Sequence, residues 1–271
     1  MAVLLPPSDP LAAPGLAAYV AAFRGVFARA DQFRWFVAYL DGLLADGPRK
    51  NIESLARRLP PSPAAADPAQ ALQHFVSHSP WDADQLLARY REWLGPRLAD
   101  PAAVWAVHDG VFPKRGMRSV GVRRQLARPL GQKVNCQVAV VVAQVGPAGY
   151  FPLAVRLYLP RPAAGDRRAW ASKSDIALSL IDALAAEGRS PAAVAADDGY
   201  DLADGLSARG LPATGDGAAV AEALERFEWL KGRLGLDHFE GRGWRGWHHH
   251  VSLVVAAYGH LAAGADISTQ I

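Results

Sequence analysis

Cysteine is almost missing: Cys136 stands alone in a chain of 271 residues. A lone thiol has no partner within the chain, so a disulfide scaffold is excluded. Long apolar runs are missing too. No stretch approaches the roughly 20 apolar residues that span a bilayer. The opening MAVLLPPSDP has no basic lead-in and meets prolines at once, unlike a secretory signal. The expectation is a cytoplasmic chain without a membrane partner. A large charge imbalance is also missing, since 29 Lys and Arg against 26 Asp and Glu leave a net +3. With 51% hydrophobic and 20% charged residues, the chain is too apolar for disorder and can bury a sizeable core. The length suits one large domain, or one domain with a helical appendage.

Several chemistry-bearing motifs are absent as well. No GxGxxG follows a strand, and no GxxxxGK[ST], CxxC, HExxH or GxSxG occurs. Nucleotide loops, simple zinc sites, HExxH metalloproteases and serine hydrolases are thereby set aside. Neither a cofactor nor a resident metal is expected.

Residues 1–100 are patterned as helices. Leu16 to Arg29, Phe33 to Leu44, Asn51 to Leu59, Ala71 to Ser77 and Asp82 to Leu94 carry apolar residues at helical spacing. A proline- and alanine-rich connection fills 60–70. The pattern then changes. Ala103 to Val107 is a short apolar run, Met117 to Leu126 alternates, Val134 to Val145 is β-branched, and Tyr150 to Leu159 follows a Pro147-Ala148-Gly149 turn. After a loop over 160–172, Ser174 to Glu187 predicts a helix and Ala192 to Ala196 a short strand. Leu202 to Ala208, Ala218 to Leu234 and Val251 to Leu261 predict further helices. The sum is an α/β fold: a mixed sheet flanked by helices, behind a helical N-terminal region.

Two acidic sites close strands. His108-Asp109 follows the first and Asp197-Asp198 the fourth, and ligands gather at the carboxyl ends of strands in α/β sheets. Carboxylates meeting there hold a hard cation or act as acid and base; alternatively, each caps the next element. Lys114, Arg115, Arg118, Arg123, Arg124, Arg128 and Lys133 form a basic run, either a nucleic-acid surface or a solvated hairpin. His248-His249-His250 is not spaced for coordination, because successive helical residues turn by about 100°; packing beside Trp244 and Trp247 is expected.

In chain order, Arg49-Lys50-Asn51, Trp81-Asp82-Ala83-Asp84, Ser119-Val120-Gly121-Val122 with Gln125, and Asn135-Cys136-Gln137-Val138 form a pattern. Leu157-Tyr158-Leu159-Pro160, Ala196-Asp197 with Tyr200, Lys231-Gly232, and Gly235 to Glu240 with Arg242, Trp244 and the Trp247-to-His250 run continue it. Over roughly residues 30–265 the sequence resembles the DDE-type insertion-sequence transposases, the DDE superfamily endonucleases. The resemblance implies an RNase H-like fold over residues 101–271, behind a helical region over 1–100. It also implies Asp, Asp and Glu ligands for two metal ions that cut and join DNA, and assembly as a homodimer.

Counted from Phe112-Pro113-Lys114-Arg115-Gly116, the family's first Asp corresponds to His108 here, with Asp109 next to it. The second corresponds to Asp197. The Glu, seven residues before the lysine matching Lys231, corresponds to Leu224, with Glu225 adjacent. The family's large insertion is replaced by residues 210–218. The resemblance thus implies a scaffold whose metal-binding triad is degenerate.

Two functions follow. In the first, the scaffold serves metal-independent acid/base chemistry (cyclase, lyase or isomerase type) on a small metabolite, possibly in natural-product biosynthesis. His108 beside Asp109 is the acid/base, Asp197 its facing carboxylate, and Tyr200 and Lys231 are donors. In the second, the chain is a DNA-binding remnant or regulator without strand transfer, held to phosphates by the basic run. An active transposase would need Asp109 and Glu225 to replace the displaced ligands.

Overall fold

The computed structural model describes residues 15–59, 67–160 and 170–264. The first ten residues and most of the connections expected over 60–70 and 160–172 lie outside them. In chain order the helices of the first part are α1 (Leu16–Ala22), α2 (Ala30–Leu44), α3 (Ile52–Ala56), α4 (Pro68–Ser77), α5 (Ala83–Trp93) and α6 (Gly95–Leu98). There follow β1 (Val104–Pro113), β2 (Arg123–Ala127), β3 (Gln132–Gly146), β4 (Gly149–Leu157), α7 (Lys173–Ala186), β5 (Ala193–Ala196), α8 (Ala203–Ser207) and β6 (Ala213–Thr214). The chain closes with α9 (Gly217–Leu234) and α10 (Trp244–Gly264). Among the described residues no helix is long and apolar enough to cross a membrane.

These elements gather into two compact units. One joins the residues up to Gly95 with those from Trp229 on, and the other is Pro96–Glu228. The division expected at residue 100 would leave α10 with the sheet, whereas its contacts are with α2, α4 and α5.

In the helical unit, side chains decide where helices start. Asn51, Asp67 and Asp82 cap α3, α4 and α5 by accepting from backbone N–H groups two or three residues on. Phe36, Tyr39, Leu40, Leu43 and Leu44 line one face of α2. From Val251 to Ala257, α10 is buried without a break, as befits a helix surrounded by others. It starts seven residues before the predicted Val251, so all three consecutive histidines are helical and diverge. His249 meets the carbonyls of Val76 and Trp81. His250 accepts from the Tyr39 hydroxyl at 2.9 Å and meets the Gly235 carbonyl. His248 meets the Trp244 carbonyl. The histidine run is packing, as its spacing implied.

The sheet unit is a mixed α/β arrangement of RNase H-like type. The sheet runs β2-β3-β1-β5-β6, with β4 also on β3. β1, β3 and β4 are antiparallel, and β5 lies parallel to β1. β3 is buried from Cys136 to Val145, which accounts for its unbroken β-branched run. Pro152 falls on β4, which among the described residues pairs with β3 alone, beside a register shift; there a missing N–H is tolerated.

Two predicted boundaries change. The first strand does not stop at Val107 but runs to Pro113, because β3 pairs with it through Cys136. The strand predicted from Met117 shrinks to Arg123–Ala127. Residues 114–122 are instead a loop with Gly121 at φ 74°. It is braced by Asn135, which donates to the carbonyls of Lys114 and Gly116, and by Gln137, which donates to Val120. The polar residues in that part of the family pattern hold a loop in place.

Candidate functional site

The parallel pairing of β1 and β5 builds the site. The two strands match from Val104 with Ala193 to Val107 with Ala196. There β5 ends, but the Asp197 N–H still bonds the Val107 carbonyl at 2.9 Å. β1 continues past this point without β5, paired with β3 alone among the described strands, so Asp109 stands beside the turn that leaves β5. That turn is closed by the Tyr200 N–H on the Asp197 carbonyl. Its far side is tied to α7, where the Asp201 N–H donates to Ser174 Oγ.

α7 starts on a capping box. Ser172 Oγ accepts from the Asp175 N–H, and the Asp175 carboxylate accepts from the Ser172 N–H and hydroxyl. These bonds hold the Asp175 carboxyl below its ordinary value. The box makes Lys173 the first helical residue and places its ammonium at the strand ends. Lys173 Nζ lies 2.8 and 2.7 Å from the two Asp109 oxygens. The Tyr200 hydroxyl donates to Asp109 Oδ1 at 2.9 Å. The Asp109 side chain is 1% exposed and that of Lys173 is 21% exposed. Such a pair is costly to break, since the survivor is left without its countercharge.

Asp197 belongs to the same electrostatic cluster. Burial raises its pKa above the ordinary carboxylate value and the charge of Asp109 adds to this, while Arg128 and Lys173 pull it down. Burial likewise pushes Tyr200 well above its usual range, again reinforced by Asp109. A Cβ on Gly199 would lie 2.6 Å from Arg128 Nε and 3.2 Å from Lys173 Nζ. The turn thus carries glycine where both cations approach its backbone. Two carboxylates and two cations balance within one patch.

His108 takes no part in this face. Side chains alternate along β1. As Asp109 turns to Lys173 and Tyr200, the His108 ring meets Phe227 of α9 edge-on, with centroids 5.3 Å apart. Gly110 follows on the His108 side, and a Cβ there would come within 2.7 Å of the Phe227 ring. His108 is fully buried. The charges acting on Asp197 are those of Asp109, Arg128 and Lys173. Asp109, rather than His108, is thus the β1 side chain on the face that meets Lys173 and Tyr200. The reason is strand alternation, because β1 does not end at residue 107. On α9, Ala223 and Phe227 turn inward, Leu224 is half-buried and Glu225 is exposed. Lys231 lies in the last turn of α9, in the part that counts with the helical unit.

Sequence reasoning brought Asp109, Asp197 and Tyr200 together but missed Lys173. Its signal was the Ser172-x-x-Asp175 spacing, which fixes the helix start. Arg128 was visible only as one of the basic run.

A two-metal centre needs several oxygen ligands around each ion. Here there are two carboxylates, and one already accepts from an ammonium and a phenol. Among the described residues no group of three or more His, Cys, Asp or Glu is placed to hold a metal ion. The Lys173 and Tyr200 contacts occupy oxygens of Asp109 on which such a centre would draw.

A model of a family described as DDE superfamily endonuclease matches residues 22–216. Among curated proteins, the chain is similar to one named "Probable transposase for insertion sequence element IS701", from Microchaete diplosiphon. The identity is 29% over 180 residues, covering 66% of this chain and 46% of that protein. The chain thus spans about half the length of this relative. No solved structure matches it.

Proposed function

The chain belongs to the DDE superfamily endonuclease family, and from that premise we propose that it binds duplex DNA without cutting it by two-metal chemistry. The observation that carries this reading is the charge of the β1–β2–β3 segment. Between Asp109 and residue 160 the sequence has no acidic residue, yet it holds Lys114, Arg115, Arg118, Arg123, Arg124, Arg128, Lys133 and Arg156. Arg115, Arg118, Arg123, Arg124 and Lys133 are exposed. A run of cations with no acidic residue among them, on a loop and an edge hairpin, suits a phosphate backbone. The engagement of Asp109 by Lys173 and Tyr200 supports the second half of the reading.

The acid/base alternative, with a small metabolite as substrate, has less support. His108, its proposed acid/base, is buried against Phe227. A cavity of about 300 Å³ lies in the helical unit, lined by residues such as Tyr39, Gln70, His238 and Glu240, away from His108 in sequence and unit.

Fluorescence anisotropy with a labelled duplex across a salt series tests the reading. If Arg115, Arg118, Arg123, Arg124 and Lys133 each meet a phosphate, log K falls against log salt with a slope of about −4.5. Nicking of supercoiled plasmid with magnesium or manganese is expected to be absent. No binding at low salt overturns the first half, and metal-dependent nicking the second.

A further inference from the structure

We propose that Lys173 is a built-in counter-cation, holding the place at Asp109 that a divalent ion takes in a two-metal centre, and that its removal opens a site for a hard divalent cation between Asp109 and Asp197. The proposal rests on the reading above only in taking the centre as one that does not cut. DNA affinity does not enter.

Three observations converge. The ammonium reaches both oxygens of Asp109, at 2.8 and 2.7 Å, a position that bridges a carboxylate as a metal does. It is fixed there from its own side, because the Ser172–Asp175 capping box sets Lys173 at the first helical position and the Ser174–Asp201 bond ties that turn to the β5 exit. The second carboxylate, Asp197, feels both Asp109 and Lys173. With Arg128 included, two negative charges meet two positive ones. Removing the ammonium leaves a net charge of −1 at the place that the Lys173 side chain, 21% exposed, now fills. Oxygen ligands with unbalanced negative charge are what hard divalent ions select. Tyr200, which donates to Asp109, stands at the same point and serves as an optical reporter.

The test is binding of Mn²⁺ alone, followed by the loss of its free electron paramagnetic resonance signal, with Tb³⁺ luminescence sensitised through Tyr200 as the second readout. The wild-type chain is expected to show neither saturable Mn²⁺ binding nor sensitised emission. Lys173→Ala and Lys173→Gln, checked for folding by circular dichroism, are expected to show saturable Mn²⁺ binding at concentrations at least about tenfold below any at which the wild-type chain binds, because ligand charge sets affinity. Lys173→Arg, which restores a cation, is expected to stay closed. Adding Asp109→Asn to Lys173→Ala is expected to abolish the gain. Wild-type binding at this point would overturn the proposal, showing an ordinary metal site whose lysine moves aside. Folded Lys173→Ala and Lys173→Gln proteins without any gain would overturn it equally. Neither outcome depends on whether DNA binds.

Discussion

Trp81 and His249 stack face to face, with ring centroids 3.6 Å apart and planes 15° from parallel. The imidazole is held between two backbone carbonyls, Val76 at 2.8 Å and Trp81 at 2.9 Å. Burial lowers its pKa from 6.5 to about 4, outweighing the carbonyls, which favour the charged ring. A depressed folded-state value means that the unfolded chain takes up a proton first on acidification. Stability is therefore full above pH 6.5 and is lost as the pH falls toward 4. Between pH 6.5 and 5 the helical unit should lose about 2 kcal/mol on this account. His249→Phe keeps the stacking and removes the titration, so urea unfolding followed by tryptophan fluorescence should show a flatter dependence. An equally steep loss in the variant would remove His249 as its source.

The two carboxylates of the site should respond oppositely to neutralisation. Asp109→Asn deprives Lys173 of its partner in a largely buried setting and should cost about 3 kcal/mol. Asp197 is charged against its environment, burial and Asp109 both raising its pKa. Asp197→Asn should therefore leave stability unchanged or raise it at pH 7. The raised folded value makes the wild-type penalty shrink as the pH falls through it, so the two proteins should converge in acid. Thermal melts at pH 7 and pH 4 measure both effects.

Gly110 lies against Phe227, with room for hydrogen alone. Gly110→Ala should overpack the contact between β1 and α9 and cost about 1–3 kcal/mol. Phe227→Leu should recover part of that cost in the double variant. A double-mutant cycle with no coupling would place the strain elsewhere.

Arg123 and Arg124 are exposed on β2. Changing both to Gln should reduce the salt slope of DNA binding by about 2, one per lost phosphate contact, with similar effects on unrelated duplex sequences. An unchanged slope would shift the interface away from β2.

Much of the fold was legible because its signals are local. The β-branched run of β3, the capping residues Asn51 and Asp82, and the glycine after β3 each act within a few positions. The parallel ends of β1 and β5 were also within reach, although the expectation set His108 rather than Asp109 opposite Asp197. The second half of β1 was not. His108-Asp109-Gly110 has the composition of a strand end, and only distant partners make it strand interior: Phe227 for the ring and the glycine, Lys173 and Tyr200 for the carboxylate. Lys173 is 64 residues from Asp109 in the chain, and no periodicity encodes such a meeting. The grouping of α10 with the first helices has the same cause, since a hydrophobic stripe does not say which surface it covers.

β2 ends the described sheet, pairing with β3 alone. Its free side offers the backbone groups through which strands of separate molecules zip together, and Leu126 there is 45% exposed. Arginines at such a margin discourage that zipping, because two copies bring like charges face to face. The hairpin's basicity thus acts as insulation against self-aggregation even when no nucleic acid is present. Neutral, β-prone replacements for Arg123 and Arg124 would expose a sticky border, whereas Lys in their place would keep the molecules apart.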